Sequence, residues 1–325
     1  LVDMPYNTDN KLVIAVSSRA LFDLKKANQI FDEQGEKSYM EYQWENREKI
    51  LEKGVAFPFI KRILQFNTDS NESNQPVEVI VLSKNDPFSG LRFFKSCEHY
   101  KLGITRGVFS AGRNPFSYME AFNCCLFLSA NKQDVDNAIE AGFPAGLILL
   151  SSAPEDPATN ELRIAFDFDG VLVDDSSEQI YQNDGLKAYQ ESEKKNAGIS
   201  LNPGPLKNLI ERLAHIQKLE KLKKEKNKEY VPRLRIAIVT ARNAPAHERV
   251  ITTLRNWGIT AVEAFFLGGL EKKKVLSVFR PHIFFDDQMN HLEPASNITP
   301  SVHIPFGCIN KKQQEICNQK QVEHV

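Results

Sequence analysis

No stretch of this chain approaches the ~18 consecutive apolar residues of a membrane-spanning helix, and no signal-peptide pattern opens it, so neither a membrane segment nor a membrane partner is expected. An excess of one charge is missing too, since 41 Lys and Arg face 42 Asp and Glu for a net charge of -1. That balance gives no electrostatic case for binding a nucleic-acid polymer or an anionic membrane, whereas a small anionic substrate needs only local positive charge. Cysteine is scarce and odd in number (Cys97, Cys124, Cys125, Cys308 and Cys317), with no C-x-x-C. A disulfide framework and a zinc site are therefore not indicated, and reduced thiols in a cytoplasmic protein are expected. The first residue is Leu1 rather than Met, which leads us to expect a native start upstream.

What the chain does have is an apolar run that stops at two acids. Arg163-Ile-Ala-Phe-Asp-Phe-Asp-Gly-Val-Leu-Val-Asp-Asp175 reads as a strand ending in Asp167 and Asp169. Alternation along a strand sends residues i and i+2 to the same side, so both carboxylates can converge on one reacting centre. Gly170 lets the backbone turn away beside them. Two carboxylates so close repel unless a cation or a shared proton compensates, which implies a divalent metal. Three further strand ends follow. Leu234–Val239 is an apolar run that ends in Thr240, Ala241 and Arg242. Val262–Leu267 is closed by Gly268 and Gly269 and followed by Lys272, Lys273 and Lys274, and His282–Phe285 delivers Asp286 and Asp287. Open α/β sheets place their sites at the carboxyl ends of parallel strands, so the coincidence of four such ends carries more than any one of them.

The Asp-x-Asp-Gly-Val-Leu block resembles the first motif of the haloacid-dehalogenase superfamily, most of whose members are magnesium-dependent phosphatases acting through a phospho-aspartate. The other three strand ends are similar to its remaining motifs, in order. The resemblance implies an α/β fold and a phosphate-binding role for Thr240, with Ala241 behind it. It also implies a phosphate-holding lysine and metal binding at the Asp286-Asp287 pair.

The chain also appears twice in its own pattern. A shift of 157 residues sets Ser83 against Thr240, Phe109 against Phe266, Gly112 against Gly269, Phe127 against Phe284 and Ser129 against Asp286, while a shift of 150 sets Ser17 against Asp167. At 325 residues with 42% apolar composition there is material for two cores. The expected architecture is therefore two Rossmann-like, haloacid-dehalogenase-type parallel-sheet domains. Residues 1–157 form a non-catalytic, degenerate repeat and residues 158–325 a catalytic domain. The first half carries Ser17, Arg19, Ser83, Pro115 and Ser129 where the second has Asp167, Asp169, Thr240, Lys272 and Asp286, so it cannot assemble the acidic metal site. Oligomer contacts (a homo-oligomer), nucleoside recognition or regulation are left for it.

Residues 174–232 are too long for a simple connection and are expected to insert a small helical cap over the site. Asn202-Pro-Gly-Pro205 breaks the chain, after which Leu206, Leu209, Ile210, Leu213 and Ile216 recur at helical spacing and predict a helix with one buried face. The mixed-charge run from Lys218 to Glu229 reads as a solvated helix end and loop. Polar residues after the first motif (Asp174, Asp175, Ser176 and Glu178) are candidates to contact the leaving group, and Phe22, Phe88 and Tyr118 are candidates to stack on a base.

Taken together, Ala15-Val-Ser-Ser-Arg-Ala-Leu-Phe22, Gly54-Val-Ala-Phe-Pro-Phe59, Val239-Thr-Ala-Arg242, Arg280-Pro-His-Ile-Phe-Phe-Asp-Asp287 and the Asp-Gly-Val-Leu block resemble the type I cytosolic 5′-nucleotidase family, from about Leu12 to about Gly307. One departure is Phe168, where vertebrate members carry a small residue between the two aspartates. The resemblance implies hydrolysis of nucleoside 5′-monophosphates, AMP especially, with Mg²⁺ and with a nucleoside diphosphate effector. On it, Asp167 is the nucleophile and Asp169 the general acid and base. Mg²⁺ is held by Asp167, the backbone carbonyl of Asp169 and Asp286, with Asp287 orienting these ligands from one layer out. Thr240, Ala241 and Lys272 take the phosphate. The family's spacing selects Lys272, where sequence physics leaves all three lysines open. Gly170 and Arg242 are candidate substrate contacts. Two other functions compete: a phosphomonoesterase of the same superfamily acting on other small esters, and a nucleotide sensor without turnover.

Overall fold

The computed structural model describes residues 6–68, 74–153, 159–260 and 262–310. Cys317 and the expected boundary between residues 157 and 158 lie outside the described residues. The chain divides into two compact units, Leu1–Ile148 and Leu149–Val325, each of the α/β class.

In the first unit, β1 (Leu12–Val16), β2 (Val77–Ser83), β3 (Arg106–Phe109), β4 (Leu126–Ser129) and β5 (Ala145–Ile148) line up in the order β3-β2-β1-β4-β5. The second unit holds β6 (Leu162–Phe166), β7 (Leu234–Thr240), β8 (Glu263–Phe266), β9 (Ile283–Asp286) and β10 (Ser301–His303), in the order β8-β7-β6-β9-β10. The strand pairs within each unit are parallel. Such sheets are covered on both faces, which is why every residue of β1, β2 and β6 is buried, β1 being wholly apolar and β2 and β6 predominantly so. In each unit the first strand in sequence sits centrally and the order reverses beside it. Ligand crevices of open α/β sheets form at that place.

Cores are built separately. Ala15, Ile80, Leu82, Phe116, Met119 and Phe127 cluster in the first unit, and Ala165, Ala237, Val239, Leu276, Phe284 and Leu292 in the second. Phe166 and Phe285, on the adjacent strands β6 and β9, stack with ring centroids 5.0 Å apart. Each ring so buried contributes ~1.5–3 kcal/mol, fixing the two strands whose ends carry the acids.

Helices cover the sheets by ordinary local rules. The Pro87–His99 helix starts on Asp86, whose Oδ1 accepts from Phe88 N (2.8 Å) and Ser89 N (3.2 Å), with Pro87 at the first position where no N–H is needed. The second unit's Ser176–Lys195 helix is bent at Gly185, where φ is +80°, a conformation only glycine adopts without strain. The helix Lys207–Lys226 buries Leu209, Ile210, Leu213 and Ile216, as the spacing predicts. The mixed-charge run at its end departs from expectation at one residue. Glu220 is buried, accepting from Tyr230 Oη (2.8 Å), Arg233 N (2.8 Å) and Leu234 N (3.0 Å). It supplies acceptors to backbone donors entering β7, which a count of charges does not reveal.

Each unit ties its edge strand to the next by an ion pair. Arg106 Nη1 lies 3.1 Å from Glu78 Oε1 in the first, and Arg235 donates to both carboxylate oxygens of Glu263 at 3.0 and 3.1 Å in the second. The strand that carries the acid is exchanged between the two.

Candidate active site

Asp167 is the first residue beyond β6, and its N–H still donates to Phe285 O at 2.8 Å, so the sheet holds it against β9. At the end of β9 comes Asp286, fully buried. Lys272, which opens the Lys272–Phe279 helix, places its Nζ 2.8 Å from Asp167 Oδ2 and 2.7 Å from Asp286 Oδ2. Lys273 and Lys274 are exposed. Of the three lysines, Lys272 is the buried one and reaches both acids.

The electrostatics follow from this grouping. Burial pushes the Asp167 carboxyl up to about 7 against the pull of the Lys272 charge, with Asp286 adding to the rise. Burial also works to raise Asp286, but the charge of Lys272 and the hydrogen bond from His291 outweigh it and hold this acid below its ordinary range. Lys272 is held above its ordinary range because the two carboxylates more than offset its desolvation. Asp287 is pushed up to about 9 by burial and by its neighbours Asp167 and Asp286.

His291, in the short helix after Asp286, sets Nδ1 3.2 Å from Asp286 Oδ2. Ligand atoms of Asp167, Asp286 and His291 all lie within 4.8 Å of one another. The buried Oδ1 of Asp287 has no hydrogen-bond partner. Clustered carboxylate oxygens with one unsatisfied acid suit a hard divalent cation such as Mg²⁺, for which oxygen donors are preferred. His291 fits best as the group that orients Asp286.

Gly170 closes the turn after the two acids with φ +72°, and a Cβ there would lie 2.5 Å from Asp287 Oδ2. Gly170→Ala is expected to cost at least ~1–3 kcal/mol from backbone strain alone and to displace Asp287. A denaturant melt with an unchanged midpoint would contradict this.

Thr240, at the end of β7, is buried and accepts from Arg242 N at 3.1 Å, and Ala241 beside it is exposed. The Arg242 guanidinium forks onto Asp169, Nε to Oδ2 at 2.7 Å and Nη2 to Oδ1 at 2.6 Å. Its Nη1 donates to Glu193 on the Ser176–Lys195 helix. The Asp169 carboxylate is thus engaged by Arg242 and does not join the Asp167, Asp286 and His291 cluster.

Other sequence candidates serve the fold. Asp175 Oδ2 accepts from Cys308 N (2.7 Å), and Asp174 accepts from Ser176 and from Asn202. Phe22 is wholly buried among Phe57, Phe93 and Tyr100, so it is not available for stacking on a base. Phe88 and Tyr118 are exposed, Phe88 lying against Trp44.

At the corresponding strand ends of the first unit the acids are replaced by hydroxyls. Ser129 Oγ lies 3.1 Å from Ser17 Oγ, and Lys84 is paired with Asp134 at 2.9 Å. The acid beside them, Asp134, whose Oδ2 lies 3.5 Å from Ser129 Oγ, already has Lys84 as its counter-charge.

Comparison with known proteins adds three findings. A family model described as 5′-nucleotidase matches residues 4–311. Cytosolic 5′-nucleotidase 1B of Homo sapiens is 34% identical over 299 residues, which cover 90% of this chain and 48% of that protein. The chain thus spans about half the length of that curated relative. Among solved structures, histidinol dehydrogenase from Elizabethkingia anophelis aligns over 88% of this chain and 79% of its own at 7% identity with a TM-score of 0.22, a likeness that carries no argument.

Proposed function

Since this chain belongs to the cytosolic 5′-nucleotidase family, we propose that it hydrolyses nucleoside 5′-monophosphates, AMP foremost, to nucleoside and phosphate, with Mg²⁺ as cofactor. The observation that carries this reading is the buried Asp167 carboxylate, 2.8 Å from the Lys272 ammonium and beside Asp286, at the carboxyl end of the central strand β6.

In the proposed reaction an Asp167 carboxylate oxygen attacks phosphorus in line, and the bond to the nucleoside 5′ oxygen breaks as that oxygen takes a proton from Asp169. The aspartyl-phosphate is then opened by a water whose proton returns to Asp169. Lys272 neutralises the non-bridging phosphate oxygens, and Thr240 and the Ala241 backbone bind them. The Arg242 fork holds both oxygens of Asp169, and it has to open for the step in which Asp169 protonates the leaving oxygen. Asp167, the Asp169 carbonyl and Asp286 would hold Mg²⁺, which when bound supplies compensation for the phosphoryl charge.

In this reading residues 158–325 form the catalytic, haloacid-dehalogenase-type domain. Residues 174–232 are its cap and residues 1–157 a degenerate copy without catalysis, available for a nucleoside diphosphate effector or for self-association. No helix among the described residues is long and apolar enough to cross a membrane, and the cytoplasmic setting is proposed from the similarity to a cytosolic relative. The test is phosphate release from a panel of nucleoside monophosphates and sugar phosphates in magnesium. Preference for AMP is the expected result. Preference for sugar phosphates would move the assignment to another phosphomonoesterase, and saturable nucleotide binding without release would make the chain a sensor.

A further inference from the structure

We infer that Glu193 is a positioning residue of this site. It fixes the Arg242 guanidinium so that the opposite edge of that group holds the Asp169 carboxylate in one place. The inference rests on the hydrolase reading above.

Glu193 has no solvent exposure, and a buried carboxylate is tolerated only when fully compensated. It accepts from Ser177 Oγ (2.8 Å), from Arg249 Nη1 (2.9 Å) and from Arg242 Nη1. Arg242 in turn forks onto Asp169, so two acids and two bases alternate in one chain of contacts, Arg249 to Glu193 to Arg242 to Asp169. The guanidinium of Arg242 also faces Phe168 and Tyr189, its Cζ lying 5.5 and 5.8 Å from the ring centroids. A planar group gripped at Nη1 by one carboxylate and at Nε and Nη2 by another, with rings beside it, has one orientation. The phenyl ring of Phe168 between the two aspartates thereby acquires a role.

The first unit shows that the fold does not need this carboxylate. There, 150 residues earlier, the place of Glu193 is taken by Gln43, which accepts from Arg92 Nη1 at 3.3 Å as Glu193 accepts from Arg249. Arg92 Nε donates to Lys49 O at 2.8 Å, and Arg249 Nε to Ile199 O at 2.9 Å. Leu51 N donates to Ser96 Oγ at 3.0 Å, and Leu201 N to Thr253 Oγ1 at 3.1 Å. Tyr39 stands where Tyr189 does, and its hydroxyl accepts from Asn85, which occupies the place of Arg242. The bonds of Arg249 and of Leu201 are thus reproduced, whereas Ser177, which donates to Glu193, is matched by Ala27, which has no hydroxyl to donate. What changes is the set Ala27, Gln43, Asn85 and Arg19, replaced by Ser177, Glu193, Arg242 and Asp169. An acid appears at 193 where a second arginine and a reactive aspartate appear with it, so its charge answers to Arg242 and not to the helix packing that Arg249 serves.

The test uses Glu193→Gln, an isosteric change that Gln43 shows the fold accommodates, measured with AMP and magnesium. The expected result is a fall in kcat of about 10- to 100-fold with KM within about threefold, since positioning and not substrate affinity is lost. In the double variant E193Q/R242K, kcat is expected to be no lower than in R242K alone, because both changes break one contact. Wild-type kcat in E193Q, or losses that multiply in the double variant, would overturn the inference. A wild-type protein that releases no phosphate from any nucleotide would instead overturn the hydrolase reading. The positioning is then read directly from the Arg242 Nε–H in nitrogen-15 spectra: protection from solvent exchange in the wild type and its loss in E193Q are expected, and equal protection in both refutes the role.

Discussion

Asp167→Asn is expected to give a folded protein whose phosphate release from AMP is lower by at least about 10⁴-fold, because the amide offers phosphorus no nucleophile and the covalent route closes. The fold should survive. The Asp167 carboxyl is raised to about 7 mainly by burial, so the folded environment already disfavours its charge, and an uncharged amide of the same shape removes that conflict. Lys272 keeps Asp286 at 2.7 Å as its counter-ion. The experiment pairs a phosphate-release assay with a thermal melt. Near-wild-type turnover would remove Asp167 from the nucleophile's role, and a collapsed melting temperature would mean that its carboxylate holds the fold.

The second large effect is expected at Asp286, where one carboxylate serves three neighbours. It accepts from Gln288 N at 2.9 Å, lies 2.7 Å from Lys272 Nζ and 3.2 Å from His291 Nδ1. Asp286→Ala removes a proposed magnesium ligand and leaves a buried ammonium with one partner. Breaking a buried pair costs ~3–5 kcal/mol. Turnover is expected to fall by about 100-fold or more, with half-saturation moved to higher magnesium concentration. Asp286→Asn, which keeps the shape and the bond from Gln288 N, separates metal loss from loss of stability. Unchanged activity of both variants across a magnesium titration would show that the metal is held elsewhere.

Parallel strands buried on both faces are predominantly apolar, and those that reach the site stop at residues proposed to act there. Asp167, Thr240 and Asp286 were therefore legible in the sequence, as was the helix from Lys207 with its stripe of Leu209, Leu213 and Ile216. Lys272 was singled out among three lysines only by the family's spacing and not by residue physics, since burial of one helix position depends on tertiary packing. His291 left only a faint signal, a histidine five residues beyond Asp286 in the next helix. Glu193 left none. It sits beside Lys194 and Lys195 in a stretch indistinguishable from a solvated helix face, and its burial arises from Arg242 and Arg249, both distant in sequence. Residues meeting across long separations are set by topology, which residue spacing does not report.

The opposed polarity of the two edge-strand ion pairs bears on assembly of the nascent polypeptide. With the same order of five strands in both halves of one chain, a strand from one half risks docking beside the other half's strand before its own neighbour arrives. Were β8 to dock on β2, Glu263 would confront Glu78, and were β3 to dock on β7, Arg106 would confront Arg235. Each mistake sets like charges face to face, so the exchanged acid and base act as a proofreading mark that favours each strand's proper neighbour.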